Sequence, residues 1–99
     1  MNKADAMNLI YKEYEAAVEK HPDWPIDPIH AAAILAEEAG ELVQACLDYV
    51  YRDSDGKAAI EEATQCGAMA LRFLINRGSY KRVSGQSNVA RDDIQSEVS

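Results

Sequence analysis

Apolar residues recur at helical spacing from the start of the chain. Met7, Ile10, Tyr14 and Val18 fall on one face, with Ala6 and Ala17 filling it, and this predicts an amphipathic helix from about Lys3 to Lys20. The pattern stops at the stretch HPDWPIDP, where Pro22, Pro25 and Pro28 each push the preceding residue away from helical geometry, so a loop is expected there. Asp27 followed by Pro28 reads as a helix start, because the carboxylate can cap free backbone N–H groups and proline at the first helical position loses no bond. A second helix is expected from Pro28 to about Arg52, with Leu35, Leu42, Cys46 and Tyr49 as its buried stripe. The segment RDSDG breaks the pattern, and Ser54 or Asp55 is placed to cap a third helix from about Lys57 to Asn76. Ala59, Cys66, Met69 and Phe73 mark the stripe of that helix, and Gly78 is placed to end it.

From Ser79 onward the chain is polar, with Val83, Val89, Ile94 and Val98 as scattered apolar residues, and residues 79–99 read as a mobile or weakly helical tail. No run reads as a strand. The expected fold is therefore all-α, one domain over residues 1–78 with about three main helices, completed into a bundle by oligomerisation. Chain length points the same way. A domain of 99 residues removes only about two-thirds of its unfolded surface from water, which favours a partner subunit in a homodimer or homotetramer.

Hydrophobic residues make up 47% of the chain and charged residues 27%, the balance of a globular protein in water. No apolar run approaches the ~20 residues that cross a bilayer, and the N-terminus lacks a signal-peptide pattern, so no membrane partner and a cytoplasmic location are expected. A net charge of −7 repels a nucleic acid backbone, which argues against a nucleic acid polymer as partner. A small anionic substrate would need a metal or a local basic patch. Cys46 and Cys66 lie in apolar helical segments without metal or redox spacing and read as buried thiols.

The chemistry lies in carboxylates placed where apolar residues belong. Glu38 comes three residues after Leu35 and four before Leu42, so it points inward, and Glu41 is its neighbour on nearly the same face. Glu62 repeats the anomaly on the third helix, three after Ala59 and four before Cys66. Burying an unpaired carboxylate costs several kcal/mol, roughly, and a metal, a basic partner or a raised pKa resolves it. Oxygen-only ligands favour a hard cation, Mg²⁺ or Mn²⁺. Glu37 and Glu61, one residue away, read as a solvated acidic face.

The stretch AAAILAEEAGELVQACLDYV, followed by EEATQCGAMALRFL, resembles the MazG-like and dCTPase-like nucleoside triphosphate pyrophosphohydrolases over roughly residues 29–74. In that family an E-x-x-E on one helix and an E-x-x-D on the next bind magnesium, and the matching positions are Glu38 and Glu41, then Glu62 and Gln65. The resemblance implies hydrolysis of the α-β phosphoanhydride of a ribo- or deoxynucleoside triphosphate by metal-activated water, giving a monophosphate and pyrophosphate. Glu41 or Glu37 would then act as base or as an outer partner of that water. Gln65 departs from the pattern, because an amide oxygen ligates a cation without adding negative charge. Weaker metal binding follows, with a single metal, slow catalysis or a helical metal-binding or dimerisation module as the alternatives.

Around that centre, Trp24 is placed to stack on a nucleobase or to cover the end of the bundle, and His30 to face the pocket or the surface. Lys57 and Arg72, with Lys81 and Arg82 behind them, are candidate phosphate contacts or helix-surface charges. Asn76 reads as a substrate contact or a helix terminator. A di-iron carboxylate bundle would need a histidine three residues after Glu38 or Glu62, and neither position has one.

Overall fold

In a computed structural model the chain forms three helices, α1 Lys3–Lys20, α2 Pro28–Tyr51 and α3 Lys57–Ile75, followed by a 3₁₀ turn, Arg77–Ser79. Residues 1–82 are described; the tail expected over 79–99 lies outside the described residues except for its first four residues. The described residues contain no strand. The bundle is all-α, as the periodicity predicts.

Helix starts follow local chemistry. The Asn2 side chain accepts the Asp5 N–H at 2.8 Å, and Asp27 accepts the Ile29 N–H at 2.9 Å with Pro28 in the first turn. Asp55, not Ser54, tends the start of α3, accepting the Lys57 N–H at 3.0 Å. Gly56 there takes φ 77°, a left-handed conformation that a side chain would strain, and a Cβ would also meet the Tyr49 ring at 3.1 Å. At the other end of α3 the Asn76 side chain donates to the Arg72 carbonyl at 2.9 Å, so Asn76 caps the helix two residues before Gly78, which sits within the 3₁₀ turn.

α3 is central. It packs against both α1 and α2, while α1 and α2 scarcely touch. Contacts of Ile10 with Gly67 and of Ala17 with Arg72 show α1 running parallel to α3. A Cβ at Gly67 would lie 2.9 Å from Ile10 Cδ1, so glycine is what lets α1 approach so closely. α2 runs back antiparallel. Its inward positions are Ala31, Leu35, Glu38, Leu42 and Ala45, spaced alternately by four and three residues, with Ala31 and Ala45 buried.

Expectations for the stripes are corrected at Cys46, Tyr49, Cys66 and Met7. Cys46 is exposed because the seam of α2 passes through Ala45 and the next residue is rotated ~100° away from it, whereas Tyr49 keeps to the seam face, with its ring beside Gly56, and is still 55% exposed near the end of α2. Cys66 is half-buried, and Met7 is exposed because Ala6 rather than Met7 faces α3. The packed unit also extends past Gly78. Tyr80 is fully buried, accepts the Trp24 indole N–H at 2.8 Å, donates to the Phe73 carbonyl at 3.0 Å and packs in a tilted contact on the Phe73 ring, centroids 4.8 Å apart. The Lys81 N–H donates to the Ile26 carbonyl at 3.0 Å, so the segment after α3 is tied to the proline-rich loop.

Candidate functional site

Antiparallel packing of α2 on α3 brings Glu38 and Glu41 opposite Glu62. One carboxylate oxygen from each lies within 4.8 Å of the others. Oε2 of Glu38 and Oε2 of Glu62 are buried and have no hydrogen-bond partner among the described residues, while Glu41 is exposed at the rim within hydrogen-bonding reach of both side chains. Buried acceptors left unpaired are costly, so their presence at a shared point is a specific feature of this fold. Burial pushes the Glu38 carboxyl above its ordinary pKa, and the Glu41 and Glu62 charges push it the same way. Glu62 is raised by burial and then by Glu41 and Glu61.

The donor set suits a divalent cation. Three carboxylates offer oxygen only, one oxygen from each converges with the others, and Glu38 and Glu62 each keep one buried oxygen without a partner, which is the chemistry that hard cations such as Mg²⁺ and Mn²⁺ accept. Without a cation the folded protein holds protons on Glu38 and Glu62 more tightly than the unfolded chain does. Stability of the chelated protein is therefore present at acid pH and lost as pH rises from the ordinary carboxylate range through the raised values of these two groups. Thermal melts in EDTA should show the melting temperature falling across that window, with added Mg²⁺ flattening the profile. A chelated protein whose melting temperature is level across it would remove the strain argued here.

Beside the carboxylates a cleft of about 550 Å³ opens between α1 and α2, floored by α3. Glu38 lines it, as do Gln65 and Met69 from α3 and Trp24 from the loop. Gln65 thus faces the same space as Glu38. Trp24 is half-buried, with its ring under the Arg72 guanidinium at 4.8 Å and its N–H on Tyr80, so it both covers the bundle end and walls the cleft.

Arg72 is 4% exposed and is not the surface charge its helix position suggests. Its guanidinium donates to the carbonyls of His21 at 2.6 Å, Asp23 at 3.4 Å and Ala17 at 3.5 Å, closing the C-terminal end of α1 and the loop that follows. Carbonyls freed by the end of α1 receive a fork of donors, and a phosphate would have to compete with them. The Asn76 amide is likewise engaged within α3. His30 and Lys57 are exposed and stand outside the lining of the cleft. Glu37 and Glu61 are exposed.

Sequence reasoning passed over Glu13. It lies on the inward face of α1, three residues after Ile10 and four before Ala17, and it lines the cleft. The signal that marks Glu38 and Glu62, a carboxylate at apolar spacing, was present for Glu13 as well. Tyr80 carried no such signal, since an isolated aromatic in a polar stretch has no period.

No family model, no curated protein and no solved structure matches this chain. No helix among the described residues is long and apolar enough to cross a membrane.

Proposed function

We propose that this protein is a Mg²⁺-dependent nucleoside triphosphate pyrophosphohydrolase that cleaves the α-β phosphoanhydride of a ribo- or deoxynucleoside triphosphate. The observation that carries the reading is the meeting of Glu38, Glu41 and Glu62 at one point, with two buried oxygens unpartnered there. The resemblance of the two carboxylate-bearing helices to the MazG-like enzymes supports it, and so does a cleft of nucleotide dimensions alongside. Glu38, Glu41 and Glu62 would hold Mg²⁺ or Mn²⁺. Bound there, the cation supplies neutralisation of phosphate charge and a lowered pKa for a water.

The chain's own groups divide the remaining work. Glu38 and Glu62, half-buried on facing helices, hold the anionic centre rigidly, while Glu41 at the exposed rim can take a proton from a water approaching from solvent. Glu37 faces outward, which leaves it the weaker candidate for base. Trp24 offers an aromatic wall to a base, and Gln65 offers an amide that orients substrate or adds a neutral oxygen ligand. Oligomerisation belongs to the same proposal. Ile29, Val43, Leu47 and Val50 line an outer face of α2 and are 69%, 58%, 45% and 64% exposed, an apolar stripe with nothing described against it that a second copy would cover.

Gln65 sustains one rival, a binding or dimerisation module on the same scaffold. The deciding experiment is pyrophosphate release from a panel of ribo- and deoxynucleoside triphosphates with Mg²⁺ or Mn²⁺, with Gln65→Asp run in parallel. Metal-dependent release by the natural protein is expected, with a higher rate or tighter Mg²⁺ dependence in Gln65→Asp. Activity in Gln65→Asp alone would mean a scaffold that has lost its fourth ligand, and silence in both would leave the binding module.

A further inference from the structure

The cleft has a polar residue for which metal binding gives no role. Glu13 is held in place from both sides: one turn before it Ile10 is locked against Gly67, and one turn after it the Ala17 carbonyl is held by Arg72. Its half-buried side chain lines the cleft and also a second cavity farther along the same α1–α3 groove, and Gln65 lines both of these as well. The carboxylate thus stands across the cleft from the α2 wall that carries Glu38, on a helix whose position over α3 is set by direct contacts.

We infer that Glu13 reads the base of a nucleotide bound in this cleft and selects guanine. The inference rests on the nucleotide reading above and names the substrate class within it. A carboxylate offers two acceptor oxygens and no donor, so it is satisfied by an edge with two adjacent N–H groups. Guanine presents such a pair, the ring N1–H and the exocyclic N2 amino group. Adenine and cytosine place a ring-nitrogen acceptor beside their amino group, and uracil and thymine flank one N–H with two carbonyls, so each brings a lone pair against the carboxylate. A polar group in a partly desolvated cleft discriminates most strongly against ligands that leave it unpaired.

The test needs neither metal nor hydrolysis, which separates its failure from failure of the enzymatic reading. Trp24 is the chain's single tryptophan and lines the cleft, so its fluorescence reports occupancy. Titration of the metal-free protein with the uncharged nucleosides guanosine, adenosine, cytidine and uridine should give a saturable change, with guanosine binding at least about tenfold tighter than the others. Glu13→Gln should weaken guanosine by about tenfold and move the other three by less than about twofold. The base ranking of the natural protein requires no variant and so tests the inference even if Glu13→Gln folds poorly. Equal affinities for the four nucleosides, no saturable change with any, or guanosine binding that survives Glu13→Gln would overturn it.

Discussion

Glu38→Gln is expected to lower metal-dependent pyrophosphate release by at least roughly 100-fold, since even partners one shell removed from a metal carry 10–100-fold effects. The fold should survive, and the chelated variant should melt higher than the chelated natural protein. The reason is the position of the side chain: Glu38 places an unpartnered oxygen in a buried spot between Glu41 and Glu62, so its charge opposes folding until a cation arrives. Glutamine keeps the shape and removes the charge. The two effects are therefore opposite in sign, activity down and cation-free stability up, which a general disruption of α2 would not produce. Calorimetric titration with Mg²⁺ and a pair of thermal melts in EDTA check both. Undiminished Mg²⁺ affinity in the variant would remove Glu38 from the site.

Arg72→Ala should have the largest effect on stability, a loss of about 2–4 kcal/mol, because it strips donors from three carbonyls at the end of α1 and removes the cation above Trp24. A chain of this size would then melt on the order of 10 °C lower or more. Arg72→Lys should recover only part of this, since an ammonium cannot present a planar fork to carbonyls on two segments. The partners are neutral carbonyls, so the loss should change little with salt, unlike that from a surface ion pair. A variant melting within 2–3 °C or so of the natural protein would show that the clamp is not what holds the loop to α3.

These two residues differ in how far the sequence exposed them. Glu38 was legible because a carboxylate at apolar spacing contradicts the helical period, and Glu62 was legible for the same reason. Glu13 carried that mark on the first helix and was still passed over. Arg72 carried no mark, since an arginine near a helix end is an ordinary surface residue until a neighbouring helix terminates against it. Cys46 shows the converse, apolar character without burial, because the seam runs through Ala45 beside it.

Sequence alone determined what local chemistry controls. The capping of α2 by Asp27 and Pro28, the break at the prolines, the three amphipathic helices and the inward carboxylates all depend on residues within a turn or two of one another. Tertiary structure decided what depends on which faces meet. It made α3 the central helix through the close approach at Gly67, opened the cleft between α1 and α2, and carried Tyr80 back to Trp24 across 56 residues. It also brought one oxygen from each of Glu38, Glu41 and Glu62 to a common point. Helical periodicity gives the direction of a side chain about its own axis, whereas the distance between two side chains on different helices is set by how closely those helices pack.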